Sequence, residues 1–319
     1  MTITGIDAVT YGVNDLAKAS AFFADFGLRL RARGAARVVF TAANGAEVVL
    51  RPRTARDLPP AFERKPTLRT LTLGVDSKSD LRAIARELGR DRDIAIDRDG
   101  TLHALDDHGV PLAFRVSRRR AVKNGGTAVN APGAVQRIDR RATYYERAVP
   151  RSIGHVVLAV PDRDRARRFY ERRLGFQVSD FYRGRGVFMR SGKLTGHHTL
   201  FFLESADAKV RLNHVAYSVR DIHELFAGGL YMSGRGWKTA IGPGRHRISS
   251  AYFWYLANPA GGLAEYYWDE DFATARWRPK TWDPAPTTFA EWVLGKGLPR
   301  SKALPPTREK RDAKPKTRA

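Results

Sequence analysis

The chain has 319 residues, 43% of them hydrophobic and 10% aromatic, which is enough for two globular domains with their own cores. The absence of cysteine excludes disulfides, thiolate metal sites and thiol nucleophiles. With 56 Lys and Arg against 33 Asp and Glu, the net charge is +23. This charge allows weak binding of nucleic acid, but the sequence contains no recognised nucleic-acid-binding motif. The N-terminus has no signal-peptide pattern and no stretch is apolar enough to span a membrane, so we expect a cytoplasmic protein.

The first third of the chain predicts a strand, a helix, several strands, a second helix and further strands. The alternating apolar run "ITGIDAVTYGV" precedes Asp15 and a helical segment that ends near Gly27. Two further segments, "RTLTLGVDSKSDL" and "LDDHGVPLAFRV", begin at Arg69 and Leu105. We therefore expect an α+β domain over residues 1–118.

Residues 119–149 separate this first third from the middle of the chain. The stretch "SRRRAVKNGGTAVNAPGAVQRIDRR", which begins at Ser117, is polar and rich in Gly and Arg. This composition is typical of a connecting segment and predicts a mobile basic linker.

The middle of the chain repeats the first third. The stretch "RSIGHVVLAVPDRDRARRFYERRLGFQV", which begins at Arg151, aligns with "ITGIDAVTYGVNDLAKASAFFADFGLRL" so that Asp162 falls on Asp15. The stretch "NHVAYSVRDIHEL" from Asn213 matches "RTLTLGVDSKSDL", and "ANPAGGLAEYYW" matches "LDDHGVPLAFRV". Two copies of one pattern predict tandem domains, with the second domain at residues 150–270.

The two copies differ at three corresponding strand positions, where only the second copy has residues that can bind a metal. A lone histidine on an apolar strand is usually structural, but a structural residue of the fold would tend to occur in both copies. Two imidazoles and one carboxylate that leave coordination positions open suit non-haem Fe(II) in oxygen chemistry. The corresponding pairs are Ala8 and His155, Thr70 and His214, and Ala113 and Glu265.

The chain resembles the two-domain type I extradiol ring-cleavage dioxygenases of the vicinal oxygen chelate superfamily over roughly residues 1–270. The stretch "GPGRHRISSAYFWYLANPAGGLAEYYW" resembles the family signature, in which a His and a Tyr precede the Glu ligand. Here these residues are His246, Tyr255 and Glu265. The resemblance implies an α+β fold of two tandem domains, each built from paired βαβββ modules, with metal in the C-terminal domain alone.

The resemblance also implies an activity and its partners. Such an enzyme opens a catechol-type ring beside its vicinal hydroxyls with Fe(II), or alternatively Mn(II), and O2, during the breakdown of aromatic compounds. The metal ligands would be His155, His214 and Glu265, and His246 and Tyr255 would donate hydrogen bonds to the bound substrate. A homo-oligomer is expected, with no membrane partner and no nucleic acid beyond weak charge-driven binding.

The stretch "GHHTLFFL" at residues 196–203 resembles the strand that carries the active-site base of the family. Neighbouring residues on a strand point to opposite faces, so only one of His197 and His198 can face the metal. The order of residues in the motif favours His197 as the base, with His198 as the alternative.

The positions near the predicted metal favour an apolar pocket. Family members that cleave acidic catechols have a polar residue and an Arg where this chain has Val157 and Ile241. The pocket therefore resembles that of the 2,3-dihydroxybiphenyl dioxygenases and disfavours a carboxylate on the substrate. The family's usual Asp-Pro is Asn258-Pro259 here, which still suits a turn.

Three other interpretations remain open from the sequence. The chain could be a different vicinal oxygen chelate metalloenzyme, such as an isomerase, lyase or thiol transferase, although such enzymes usually need ligands that Ala8, Thr70 and Ala113 do not supply. It could cleave a trihydroxylated or para-diol aromatic ring instead of a simple catechol. It could also be a non-catalytic or nucleic-acid-binding protein, against which the intact ligand trio argues.

The C-terminal end is predicted to lie outside both domains. Residues 271–295 form an extension, and residues 296–319 have a net charge of +7 with many prolines and no aromatic residue. This composition predicts a disordered basic tail that adds solubility and takes no part in catalysis.

Overall fold

The computed structural model describes residues 1–123 and 125–295. The predicted tail at residues 296–319 lies outside the described residues. The N-terminal region forms one eight-stranded sheet with two helices. Its elements are β1 (Ile3–Val13), α1 (Leu16–Asp25), β2 (Arg29–Gly34), β3 (Arg37–Thr41), β4 (Glu47–Pro52), β5 (Thr67–Val75), α2 (Lys78–Leu88), β6 (Ala95–Ile96), β7 (Leu102–Leu105) and β8 (Pro111–Val116).

The C-terminal region repeats this order and adds short elements. Its repeated elements are β9 (Ser152–Val160), α3 (Arg163–Leu174), β10 (Gln177–Tyr182), β11 (Gly186–Arg190), β12 (Thr195–Gly196), β13 (Leu200–Glu204), β14 (Arg211–Ser218), α4 (Ile222–Gly234), β15 (Thr239–Arg245), β16 (Tyr252–Ala257) and β17 (Leu263–Trp268). The predicted extension supplies β18 (Phe272–Ala273), β19 (Lys280–Trp282), α5 (Pro286–Phe289) and β20 (Trp292–Val293).

Both sheets have the same connectivity. The N-terminal order is β2-β3-β4-β1-β5-β8-β7-β6, and the C-terminal order is β19-β10-β11-β13-β9-β14-β17-β16-β15-β20. At the centre of each sheet the first strands of its two modules pair antiparallel, β1 with β5 and β9 with β14. Each of these strands also pairs parallel with a later strand of its own module: β1 with β4, β5 with β8, β9 with β13 and β14 with β17. The predicted α+β class with paired βαβββ modules is confirmed. The exact domain boundaries stay a prediction.

Local sequence signals place the first helix of each region. The side chains of Asp15 and Asp162 each accept a backbone N–H at 2.8 Å, from Lys18 and Arg165, and so cap α1 and α3. Such a cap stabilises a helix by about 1 kcal/mol. Gly175 ends α3 with φ 73°, a left-handed conformation that glycine adopts without the steric cost of a side chain. These helices cover their sheets and bury aromatic side chains such as Phe22 and Phe169.

Strand register makes the three asymmetric positions structurally equivalent. In the N-terminal sheet Ala8 lies opposite Thr72, which lies opposite Ala113. In the C-terminal sheet His155 lies opposite Ala216, which lies opposite Glu265. Thr70 comes two residues before Thr72, and His214 comes two residues before Ala216. The backbone thus presents the same three places in both regions, and only the side chains differ.

The two regions pack against each other through a shared apolar core. The ring of Phe26 stacks on that of Tyr266 with centroids 4.1 Å apart, and the Tyr266 hydroxyl donates to the Phe26 carbonyl at 2.8 Å. At the surface, the Arg173 guanidinium donates to Asp91 at 2.8 Å and also binds Glu87. These contacts hold the second region in place on the first.

The connecting segment, residues 119–149, contains no helix or strand apart from one isolated bridge in its described part. The Tyr145 hydroxyl donates to Asp221 at 3.1 Å, and the Val149 N–H donates to Glu224 at 3.1 Å. Its predicted mobility stays a prediction. No helix in the described part of the chain has the length and hydropathy to cross a membrane.

Candidate metal centre

Three neighbouring strands of the C-terminal sheet bring His155, His214 and Glu265 together. His155 lies on β9, His214 on β14 and Glu265 on β17, and β14 runs between the other two. The His155 Nε2 atom lies 3.1 Å from Glu265 Oε2, and His214 Nε2 lies 3.2 Å from the same oxygen. All three side chains are buried. Residues separated by 59 and 51 positions in sequence therefore point their donor atoms at one place.

The donor set fits a divalent metal ion. Glu265 Oε1 and His214 Nε2 are buried without a hydrogen-bond partner among the described residues. Buried polar atoms of this kind are costly unless something satisfies them. Two imidazole nitrogens and one carboxylate on one face are the ligands typical of a non-haem Fe(II) site with open positions.

The electrostatics of the trio favour metal binding. Burial acts to raise the pKa of Glu265, but the imidazoles of His155, His214 and His246 hold that pKa well below its usual range. Burial, aided by the neighbouring His198 ring, lowers the pKa of His155 to about 4. The carboxylate is therefore ionised and the imidazole of His155 is neutral at physiological pH, which are the forms that coordinate a cation.

His246 and Tyr255 lie beside the trio, as the sequence motif predicts. His246 Nε2 is 3.0 Å from the Tyr255 hydroxyl and 3.7 Å from Glu265 Oε1. The other ring nitrogen, Nδ1, donates to the Phe289 carbonyl at 2.8 Å, so α5 orients the imidazole. Burial and the charge of Glu265 raise the pKa of Tyr255 well above its usual value. Its hydroxyl thus stays protonated and can donate a hydrogen bond.

The structure reverses the expected order of the two adjacent histidines. His198 lines the cavity beside the trio, with its ring centroid 4.0 Å from that of His155. His197 does not line the cavity: it is fully buried, and its Nε2 lies 3.3 Å from Asp180 Oδ2. The prediction that His197 faces the metal is wrong by one residue. Only one of the two histidines lines the cavity, as expected, but the order of residues in the motif favoured the other one; both lie in an irregular segment, since β13 begins only at Leu200.

A cavity of about 230 Å³ opens beside the trio, and its walls are mostly apolar. The predicted apolar positions Val157 and Ile241 both line it. No Lys, Arg or Asp lines it among the described residues. The extension closes one side with Thr288 and Phe289. The remaining apolar walls are Tyr182, Phe188, Phe201, Leu203, Ile248, Ala251 and Leu263.

Sequence reasoning missed the polar residues that surround the histidines. Asn213 Oδ1 is 2.7 Å from His214 Nδ1 and so orients that ring. Glu270 Oε1 accepts the backbone N–H of His198 at 3.2 Å. Asp180 holds His197 from the opposite side. For Asn213, adjacency to a predicted ligand was a usable signal, whereas Glu270 and Asp180 lie on other elements and give no signal in the sequence.

These features agree with what comparisons with known proteins show. Residues 152–266 match the family described as the glyoxalase/bleomycin resistance protein/dioxygenase superfamily. Because that match and the fold agree, the resemblance to the vicinal oxygen chelate proteins is confirmed.

Two curated relatives are similar over part of the chain. Metapyrocatechase 2 of Cupriavidus necator is 33% identical over 130 residues, which are 41% of this chain and 40% of that protein. The 3-methylcatechol 2,3-dioxygenase of Pseudomonas putida is 28% identical over 131 residues, which are 39% of this chain and 44% of that protein. The chain thus spans less than half the length of the curated relatives it matches.

A solved structure is similar over nearly the whole chain. The Mn(II)-bound glyoxalase from Novosphingobium aromaticivorans superposes with a TM-score of 0.73 at 24% identity, covering 94% of this chain and 93% of that one. At this identity the likeness establishes the fold of both regions and leaves the reaction open.

Proposed function

We propose that this protein is an extradiol dioxygenase that opens a catechol-type ring beside its vicinal hydroxyls, incorporating both atoms of O2. One observation carries the proposal: the donor atoms of His155, His214 and Glu265 converge at the edge of an apolar cavity that His198 and Tyr255 also line. The relatives named for catechol cleavage support it.

The trio would hold Fe(II), with Mn(II) as the alternative. The bound metal would supply Lewis acidity and an electron path between an aromatic diol and dioxygen. His155 and His214 contribute neutral donors and Glu265 contributes one negative charge, so a divalent ion keeps a net positive charge at the site. This charge would favour binding of the diol as an anion.

His198 is proposed as the general base and acid in place of His197. Its ring lies on the cavity wall beside His155, within reach of a hydroxyl of a diol held at the trio. Burial lowers the pKa of the His198 imidazole well below its usual value, so the ring is neutral and can accept a proton. A positioned acid–base group contributes roughly 10²–10⁴-fold to a rate. On the other side of the trio, His246 and Tyr255 would hydrogen-bond a substrate oxygen, and the Phe289 carbonyl keeps His246 turned toward it.

The apolar walls indicate an uncharged substrate. Val157, Phe201 and Leu203 line the cavity with no cationic side chain among them, so a carboxylate on the ring would be buried without a partner. Leaving a charged group desolvated and unpaired costs several kcal/mol or more. Catechol and alkyl- or aryl-substituted catechols therefore fit better than catechols that carry a carboxylate.

The proposal is tested with the purified full chain, reconstituted anaerobically with Fe(II) or Mn(II). Oxygen uptake is measured with catechol, 3-methylcatechol, 2,3-dihydroxybiphenyl, a trihydroxybenzene, a para-diol and protocatechuate. We expect one O2 consumed per diol, two labelled oxygen atoms in the product from 18O2, and the lowest kcat/KM for protocatechuate. Metal binding without oxygen uptake on any substrate would favour an isomerase or lyase instead.

A homo-oligomer is part of the proposal as well. Light scattering of the full chain at several concentrations tests it, and a mass of 35.7 kDa at all concentrations would show a monomer.

A further inference from the structure

We propose that His197 and Glu270 act together as positioning residues that hold the His198 imidazole in one tautomer, with the proton on Nδ1 and the lone pair of Nε2 toward the cavity. This inference rests on the proposed function, because it concerns the residue proposed there as the base. It assigns a role to the second histidine of the pair, which lies outside the cavity.

Asp180 determines which nitrogen of His197 carries a proton. The Asp180 carboxylate accepts the Trp282 indole N–H at 2.8 Å and the Lys280 backbone N–H at 2.7 Å, so it is an acceptor on both oxygens. His197 Nε2 lies 3.3 Å from Asp180 Oδ2 and is the donor of that contact. In a neutral imidazole the other nitrogen is then unprotonated. The Nδ1 atom of His197 is therefore an acceptor.

That acceptor faces His198. The Nδ1 atoms of His197 and His198 are 3.3 Å apart, with the two rings nearly perpendicular at 81°. If His197 is neutral, its Nδ1 has no proton to give, and the proton between the two nitrogens belongs to His198 Nδ1. The contacts Asp180–His197 and His197–His198 thus form one chain of hydrogen bonds that ends at the cavity.

Glu270 holds the backbone of His198 beside this nitrogen. Its Oε1 atom lies 3.4 Å from His198 Nδ1 and accepts the His198 backbone N–H at 3.2 Å. Burial raises the pKa of Glu270. Oε1 can still accept in the neutral acid, with the proton on Oε2, so its role as an acceptor is the same in either form.

The segment around Gly196 leaves space for the Glu270 carboxyl group. The pairing of β12 with β18 sets Gly196 opposite Phe272 and brings the two segments together. A Cβ atom on Gly196 would lie 2.1 Å from Glu270 Oε2 and 2.7 Å from its Cδ. Glycine at position 196 therefore leaves the space that the carboxyl group occupies directly before the two histidines.

The remaining nitrogen of His198, Nε2, has no hydrogen-bond partner among the described residues, and the residue lines the cavity. With Nδ1 protonated, Nε2 has a free lone pair and can accept a proton from a substrate hydroxyl. Without the two acceptors, the imidazole would distribute between both tautomers and could turn about its side-chain bonds. The fraction of molecules with a competent base would then fall while the substrate still binds.

The first test measures kcat, KM and metal content of four variants of the metal-loaded full chain. His197→Phe and Glu270→Met remove an acceptor at similar volume, while His197→Asn and Glu270→Gln keep a side-chain carbonyl that can accept. We expect kcat to fall about tenfold or more in the first two, within the range for acid–base groups. KM and metal content should stay near wild type, and the Asn and Gln variants should recover most of the rate.

A double-mutant cycle separates positioning from general damage. In a His198→Ala background, His197→Phe and Glu270→Met should lower kcat no further, because the group through which they act is gone. An equal loss in both backgrounds would overturn the inference, and so would wild-type kcat in His197→Phe and Glu270→Met. If His198→Ala itself retains full turnover, the proposed base is wrong and the positioning role falls with it.

A spectroscopic measurement works without turnover. Imidazole 15N spectra of the zinc-loaded full chain, assigned by comparison with His198→Ala, should show the proton of His198 on Nδ1. The signal should move toward a mixture of tautomers in the double variant His197→Phe/Glu270→Met. A proton on Nε2 in the wild type would refute the tautomer assignment even if ring cleavage is observed. Absence of ring cleavage with the expected 15N pattern would refute the proposed reaction alone.

Discussion

The N-terminal and C-terminal sheets share strand order and register but differ in the chemistry of their interiors. In the C-terminal sheet, three equivalent positions hold His155, His214 and Glu265 beside a mostly apolar cavity of about 230 Å³. In the N-terminal sheet the equivalents are Ala8, Thr70 and Ala113. The fold therefore forms without a metal trio. Within the described residues, the two clusters with metal-ligand spacing both lie in the C-terminal region.

The N-terminal interior contains ion pairs in place of ligands. Glu47, which lies opposite Ala8, binds the guanidinium groups of Arg31 and Arg115, the latter at 3.2 Å. Asp7 is fully buried and accepts from Arg119 at 2.7 Å. The neighbouring open cavity of about 850 Å³ is lined by six arginines. A cluster of arginines therefore lines a cavity of the N-terminal region, whereas the cavity of the candidate metal centre has no Lys or Arg among its described lining residues.

The largest expected effect comes from giving the C-terminal region the residue of its N-terminal counterpart. His214→Thr should lose the metal and reduce turnover below detection, because one of three donors is removed. Since the equivalent Thr70 is accommodated in the same fold, the thermal unfolding of the metal-free variant should stay near that of the metal-free wild type. Elemental analysis and differential scanning calorimetry measure both quantities.

Thr70→Ala is the matched control for that variant and should keep full metal and full turnover. Full iron content and normal turnover in His214→Thr would show that the ligand assignment is wrong.

The next effect in size concerns proton transfer. His198→Ala should keep its metal and its KM but lower kcat by about 10²-fold or more, the scale for a positioned acid–base group. Stopped-flow mixing of an anaerobic enzyme–catechol complex with O2 measures the rate. A larger loss in His197→Ala than in His198→Ala would restore the original assignment from the sequence.

A moderate effect is expected on stability in the N-terminal region. Asp7→Ala leaves Arg115, Arg119 and the Ser117 hydroxyl without the carboxylate that they contact. The free energy of unfolding should fall by about 2–3 kcal/mol, because charged hydrogen bonds to a buried acceptor are lost. Metal content and kcat should change little, because the C-terminal region has Gly154 at the position that corresponds to Asp7, directly before His155, and so does not depend on a carboxylate there.

Denaturation in urea measures that change, and Asp57→Ala is the control. Asp57 is exposed in its pair with Arg51, so its loss should have little effect. Equal destabilisation by both variants would show that the buried ion pairs of the N-terminal region have no special weight.

The smallest effect is expected from removing the basic tail. A chain that ends at Gly295 lacks a segment with a net charge of +7 but keeps every residue of both sheets. Metal content and kcat at physiological ionic strength should be unchanged, while retention on a heparin column should decrease because fewer cationic groups face the polyanion. Loss of turnover with metal still bound would mean that the tail contributes to the site.

The amino-acid sequence by itself was enough to find the repeat and the three positions at which the copies differ. Both are local patterns: an alternating strand such as that around His155 and a helix after Asp162 can be recognised without knowledge of their neighbours. His246 and Tyr255 were predicted through the resemblance to the family signature, and the structure places Tyr255 and Glu265 directly opposite each other on the consecutive strands β16 and β17.

Tertiary structure alone decided which of His197 and His198 faces the cavity. The two histidines lie in an irregular segment before β13, so strand alternation does not apply to them. Their orientation depends on Asp180 from β10 and Glu270 from beyond β17, which are distant in sequence. The extension that brings Phe289 to the cavity wall is decided in the same way, by the pairing of β20 with β15. Long-range pairings of this kind leave no periodic signal in the sequence, because each contact depends on how distant segments pack in the folded sheet and not on neighbouring residues in the chain.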